Sequence, residues 1–147
     1  MNHPPVQTVN YGTHEYQAVW NLREAVLRQP LGLSLADEDL RGEAAEIIVA
    51  MLDGEHAVAC IHLKPVDAHT GKLRQMAVAP ELQGKGLGRI LMDGVEKTAL
   101  NRGITHLELH ARETAVPFYE KLGYTIVGDR FEEVSIPHFK MEKHLTT

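Results

Sequence analysis

The residues best suited to chemistry in this chain are the alternating glycines of Gln83-Gly84-Lys85-Gly86-Leu87-Gly88-Arg89. An apolar run from Leu73 to Val78 precedes them and reads as a strand. An amphipathic run from Leu87 to Leu100 follows and reads as a helix. Glycine lets the backbone turn sharply and brings its N–H groups close to a ligand. The first amides of the following helix have no partner inside it, and its positive dipole end points back at the loop. Such a junction holds an anion, above all a phosphate or pyrophosphate. Lys85 and Arg89 add positive charge beside it.

Three phosphate loops compete for this string. A P-loop needs GxxxxGK followed by Ser or Thr, whose hydroxyl holds magnesium, and no such string occurs. A dinucleotide fingerprint needs GxGxxG, and the spacing here is GxGxG. Glu108 does lie about 20 residues on, where the ribose-binding acid of that fingerprint would stand. The third form, Gln/Arg-x-x-Gly-x-Gly/Ala, is met by Gln83, Gly86 and Gly88. On these residues the chain resembles the GNAT superfamily of N-acetyltransferases, whose loop of this form binds the pyrophosphate of acetyl-CoA. The bland alternative is a tight strand-to-helix turn with nothing bound.

A second motif strengthens the resemblance. Ala115-Val116-Pro117-Phe118-Tyr119-Glu120-Lys121-Leu122-Gly123-Tyr124 is similar to the A-x-x-F-Y-x-K-x-G-F/Y segment of the same superfamily, in the family's order after the loop and an intervening strand. In that family the tyrosine at the position of Tyr119 often donates a proton to the departing CoA thiolate. An ordinary phenol, with pKa about 10, holds a proton at neutral pH and can give it to a leaving group. Phe118 and Leu122 form the buried stripe of a short helix, and Tyr119 beside them can face a cleft. One position departs from the family: Arg112 stands where an Asn is frequent. An arginine there can reach a phosphate or the adenine end of CoA.

The elements that must carry these motifs follow from periodicity and breakers. Val6 to Val9 is a strand, Glu15 to Arg28 a helix ended by Pro30 and Gly32, and Ser34 to Glu43 a polar, acidic connection. Ile47 to Leu52 and His56 to Leu63 form a hairpin about Asp53-Gly54. After the strand ending at Val78 and the helix from Leu87, which Gly103 stops, His106 to His110 is a strand and Thr114 to Leu122 a short helix. Thr125 to Phe131 and Ile136 to Leu145 close the chain as a strand pair. This order predicts an α/β fold with a mixed central sheet of six to seven strands and helices on both faces. The resemblance implies more. Two central parallel strands, ending near Val78 and starting near His106, splay apart, and CoA wedges between them. The unpaired backbone of Met76, Ala77 and Val78 then takes the pantetheine amides like an added strand. The amides of Gly84, Lys85, Gly86, Leu87 and Gly88 take the pyrophosphate, each charge-assisted bond contributing about 1.5 to 3 kcal/mol.

The reaction implied is direct transfer of an acetyl group to a primary amine. A base must remove a proton from the ammonium form of the acceptor. His110, which shares a strand face with Glu108, and His138 in the final strand pair are the candidates, with Glu132 and Glu133 nearby. For each, a surface or hydrogen-bonded structural role is the competing reading. No metal is expected. No HExxH occurs, and His106 and His110, four apart in a strand, lie about 13 Å apart. Cys60, in the apolar run Ala57 to Leu63, reads as core, and the acidic run Asp37 to Asp39 as solvated surface or a lure for a cationic amine.

A chain of 147 residues fits one domain over 1–147, and 44% hydrophobic with 24% charged residues is ordinary for a globular protein. A net charge of −5 argues against a nucleic-acid partner. No apolar run reaches the roughly 18 residues of a membrane span. The single cysteine excludes an internal disulfide framework, and Met1-Asn2-His3-Pro4-Pro5 lacks the features of a signal peptide, so a cytoplasmic location is expected. A homodimer is left open. The expected partners are acetyl-CoA as co-substrate and a small-molecule or protein amine as acceptor. The alternative is a CoA-sensing or interaction domain that binds without turnover, and behind it another nucleotide binder.

Overall fold

The computed structural model describes residues 3–146. Its strands are β1 (Val6–Val9), β2 (Ile47–Asp53), β3 (His56–Pro65), β4 (Thr70–Val78), β5 (His106–Arg112), β6 (Thr125–Glu133) and β7 (Ile136–His144). Its helices are α1 (His14–Arg23), α2 (Leu87–Asn101) and α3 (Val116–Lys121). The strands form one mixed sheet in the order β1-β2-β3-β4-β5-β7-β6. Only β4 and β5 run parallel; the other neighbours pair antiparallel.

Two cores cover the sheet. On one face Leu91 and Val95 of α2 pack on Val49, Ile61, Leu63, Leu73, Leu107 and Leu109. On the other, Val19 and Leu22 of α1 pack on Ile48, Ala50, Cys60 and Ala77. The alternation of β4 follows: Leu73 faces α2, so Lys72 and Arg74 take the α1 face. Local signals place the helix ends. Thr13 is extended, and its hydroxyl accepts the Tyr16 amide to cap α1. After α2, Gly103 at φ 78° lets its amide reach Leu100 O while the Ile104 amide reaches Ala99 O, a Schellman closure.

Three sequence expectations need correction. The expected Glu15–Arg28 helix is α-helical only to Arg23; residues Glu24–Arg28 form a wider π turn. There the Glu24 carboxylate accepts from Ser34 Oγ at 2.6 Å and the Leu35 amide at 2.8 Å, tying the turn to the following segment. That segment is not simply polar connection: Leu35 and Glu43 are buried, in short 3-10 turns Leu35–Asp37 and Arg41–Ala45. The first hairpin turns one residue later than expected. Asp53 pairs with His56, so Gly54, at φ 63°, and Glu55 form the loop. At the β6–β7 hairpin, Val134 (φ 46°) and Ser135 (φ 62°) both take left-handed conformations that normally demand Gly or Asn.

Candidate active site

The central strands part where the loop needs them to. β4 and β5 pair over Thr70 to Leu73 against His106 to Leu109, and no further. Beyond that point Ala77 and Val78 still pair with β3, leaving the β5-facing edge of Met76 to Val78 without a strand partner among the described residues, its Val78 carbonyl taken only by the Gln83 side chain. A cavity of about 650 Å³ opens in the gap. Met76, His110, Arg112, Tyr119 and His138 all line it, so the structure gathers five separated candidates into one site.

The glycine loop stands beside the end of β4, where the Gln83 side-chain amide donates to Val78 O at 3.1 Å. Gly84 (φ 81°) and Gly86 (φ 83°) are left-handed, and a Cβ on either would meet no protein atom within 4 Å. Amides from Gly84 through Arg89 have no acceptor among the described residues; the first helical bond is from the Ile90 amide to Gly86 O. Lys85 and Arg89 are exposed beside them. Gly88 differs from its neighbours. Its Cβ would sit 3.2 Å from Met76 Cε and Phe118 Cζ, so its missing side chain serves the packing of α2 on β4 and α3. Leu87 and Ala77 bury their side chains, so only their backbone can meet a ligand.

Tyr119 is held edge-to-face by Phe118 and Tyr124, with ring centroids 5.0 and 5.9 Å away. Its hydroxyl donates to Met76 Sδ at 3.3 Å. A thioether is a weak acceptor, so this contact aims the O–H into the cavity without committing it. Burial pushes the phenol up to about 12, so it stays protonated across the neutral range.

Opposite it, Glu133 joins the two candidate histidines. Its Oε1 lies 3.0 Å from His110 Nδ1, and its Oε2 lies 3.6 Å from His138 Nε2. His138 is 4% exposed, and its Nδ1 lies 2.7 Å from Ile136 O. A carbonyl only accepts, so Nδ1 carries the proton and Nε2 presents a lone pair towards Glu133. His110 Nδ1 likewise donates to the carboxylate, leaving its Nε2 free. Glu133 Oε2 and His138 Nε2 thus face one another, and an N–H donor placed beside both can bond to them, while His110 holds the other oxygen of the carboxylate. Glu133 reaches them through the strained Val134–Ser135 turn, which no glycine announced. Glu108 instead lies 3.4 Å from Lys140 Nζ, and Arg112 pairs in register with His138 on the imidazole side.

The supporting polar network was not legible in the sequence. Arg23, wholly buried, grips Glu43 through two bonds of 2.8 and 2.7 Å, and Tyr16 donates to the same carboxylate. Burial would raise the Glu43 carboxyl, but these bonds hold it below the usual range. Arg23 Nε and Arg28 Nη2 both donate at 3.3 Å to Gln75 Oε1, and Gln75 is left-handed at φ 59°, within the bulge where β4 leaves β5. Arg28 also pairs with Glu38 at 2.6 Å, so one chain of contacts links the segment after α1 to the bulge. Arg23 and Gln75 are far apart in sequence, and no local pattern marks them. Glu46 accepts from Arg74 and pairs with His62, whose Nε2 has no partner; burial pushes that imidazole below its usual value. Glu43, Glu46 and His62 offer ligand atoms within 4.8 Å of one another, yet the guanidinium groups of Arg23 and Arg74 already occupy the carboxylates. Cys60 is core as expected, its thiol pushed up to about 12 by burial.

The fold has known counterparts. The acetyltransferase (GNAT) domain family matches residues 14–145. The uncharacterized N-acetyltransferase YjcF of Bacillus subtilis is 35% identical over 107 residues, covering 72% of this chain and 74% of its own. A candidate N-acetyltransferase from Lactobacillus plantarum superposes with a TM-score of 0.88 at 26% identity, over 99% of this chain and 100% of its own. A GNAT family acetyltransferase from Elizabethkingia anophelis with acetyl-CoA bound superposes at 0.74 and 16% identity, over 99% of this chain and 100% of its own. No helix among the described residues is long and apolar enough to cross a membrane. With that family's domain spanning residues 14–145, the chain belongs to the GNAT acetyltransferases.

Proposed function

We propose that this protein transfers an acetyl group from acetyl-CoA to a primary amine. The observation that carries this reading is the gap between β4 and β5. It presents a backbone edge without a strand partner, with the glycine loop's free amides beyond the end of β4 and Met76 and Tyr119 lining the cavity. Pantetheine pairs with the β5-facing edge of Met76 to Val78, and the pyrophosphate takes amides from Gly84 through Arg89. Lys85 and Arg89 neutralise its charge, and Gln83 holds the loop on the strand end. The relative with acetyl-CoA bound supports the choice of co-substrate.

In this reading the ammonium of the acceptor loses a proton to the imidazole–carboxylate cluster of His110, Glu133 and His138. The free amine attacks the thioester carbonyl, and an unpaired N–H of Met76 to Val78 stabilises the oxyanion. The C–S bond then breaks, Tyr119 gives its proton to the thiolate, and the second proton leaving the attacking nitrogen restores the phenol. A binding module without turnover would not need an uncommitted, fully protonated phenol in the cavity; Tyr119 therefore favours the enzyme. The direct test is acetyl-CoA-dependent release of free thiol with a panel of amines. Binding of acetyl-CoA with no thiol release for any amine would leave only the sensing reading.

The base is tested by pH. A neutral imidazole accepts the proton and an imidazolium does not, so a histidine base gives the pH–rate profile a rising limb. His138→Gln should remove or shift it, and so should His110→Gln if that ring shares the proton. Should both variants keep the wild-type limb, neither histidine is the base.

A further inference from the structure

The cavity wall is chemically uneven, and its unevenness points to the acceptor. Of its two carboxylates, Glu38 is matched by Arg28 at 2.6 Å, while Glu133 accepts a hydrogen bond from His110 at 3.0 Å and keeps its charge. The other charges without a full partner, Arg112 among them, are cationic. Lys72 lines the cavity with no ion-pair partner among the described residues. Arg74 gives only Nη1 to Glu46, leaving Nε and Nη2 without protein acceptors among those residues. The two share the α1 face of β4 two residues apart, about 7 Å, a spacing that one carboxylate between the two head groups can bridge. The segment after α1 supplies a third kind of wall, apolar, from Leu27, Leu31 and Leu33. Leu33 is 45% exposed and Val134, at the cavity's other rim, 56% exposed, so apolar surface stands open at the mouth.

We infer that the acceptor is a small primary amine that also carries a carboxylate and an apolar body, the chemistry of an apolar α-amino acid. This rests on the N-acetyltransferase reading. The carboxylate meets Lys72 and Arg74, the apolar body covers Leu31, Leu33 and Val134, and the ammonium enters between Glu133 and His138. There it loses one proton to the base; the nitrogen bonds to the thioester carbonyl carbon, the C–S bond breaks, the thiolate takes the Tyr119 proton, and the second proton leaving the nitrogen restores the phenol. The product keeps its carboxylate but has lost the cation that Glu133 attracted, which favours release. A polyamine or an aminoglycoside meets the opposite: several positive charges facing cations and no free carboxylate.

The test compares amines that differ only in the carboxylate. L-Leucine and L-phenylalanine are set against 3-methylbutylamine and 2-phenylethylamine, with spermidine and kanamycin as polycations. Thiol release is followed, and products are weighed by mass spectrometry. The amino acid should exceed its decarboxylated partner in kcat/KM by about 10- to 100-fold, the worth of a charge-assisted contact. In Lys72→Met, a change at a half-buried position, that ratio should fall several-fold. Turnover of the decarboxylated amines or polycations at equal or better efficiency, or an unchanged ratio in Lys72→Met, overturns the inference while leaving the acetyltransferase standing. Absence of thiol release from every amine, with acetyl-CoA still bound, overturns both.

Discussion

Tyr119→Phe is expected to lower turnover by about 10² to 10⁴, the usual range for loss of a general acid, while acetyl-CoA affinity stays within a few-fold. The ring's edge-to-face packing on Phe118 and Tyr124 survives the substitution, and only the weak contact to Met76 Sδ is lost. Packing and chemistry are therefore separated by one oxygen atom. The pH dependence gives a second readout. Burial disfavours the phenolate and lifts the phenol to about 12. The wild-type rate should accordingly show no descending limb near pH 10, where an ordinary phenol ionises. Stopped-flow or steady-state thiol release at saturating acetyl-CoA measures both. Near-wild-type turnover in the variant, where chemistry limits the rate, would make Tyr119 a packing residue; a collapse of affinity instead would make it a binding one.

Gly86→Val is expected to weaken acetyl-CoA binding by about 10² or more, as judged from loss of two or more charge-assisted bonds, in a protein that remains folded. Gly86 sits at φ 83° at the N-terminus of α2, and a Cβ there meets no protein atom within 4 Å. Protein packing therefore gives no reason for a small residue. Two effects act on the ligand side: a β-branched residue is strained in the left-handed region, at about 1 to 3 kcal/mol, and its methyl groups cover the amides that face the anion. Calorimetry with acetyl-CoA, and with CoA lacking its acetyl group, measures the loss; thermal melting checks the fold. Unchanged affinity in the folded variant would sink the phosphate-site reading. Gly88→Ala makes the useful contrast, since its damage should come from the crowding of Met76 and Phe118.

The order of strands and helices was readable because each element carries its own period and its own stop. The apolar strand before the loop, the stripe of α2 and Gly103 after it are local signals, and the structure follows them. The two motifs marked the loop and Tyr119 for the same reason: each is contiguous. What escaped is non-local. Nothing near Arg23 announces that it will be wholly buried, because its partner Glu43 lies in a segment that reads as polar surface. The left-handed Gln75 and Val134 escaped because their types argue against the conformation they adopt. Contacts formed only after folding hold them there: two guanidinium groups on Gln75, and a two-residue turn closing β6 onto β7 for Val134. His110 and His138 were legible as candidates by strand position with Glu132 and Glu133 nearby, yet only the β6–β7 register tells that Glu133 is the carboxylate joining them.

The short seam between β4 and β5 also says something about how the molecule bears load. Among the described residues, four residue pairs, with the His69 carbonyl taking the Thr105 and His106 amides beside them, stitch the β1–β4 portion of the sheet to the β5–β7–β6 portion. The layer beneath α2 backs that seam from one side, while α1 packs on the β1–β4 portion. The sheet is thus a partly unzipped seam whose open end is the cavity, and a ligand that bonds along the edge of β4 completes the stitching. Affinity and stiffness then become one quantity: free energy gained on binding is gained by the architecture, and loosening of the seam is felt as weaker binding.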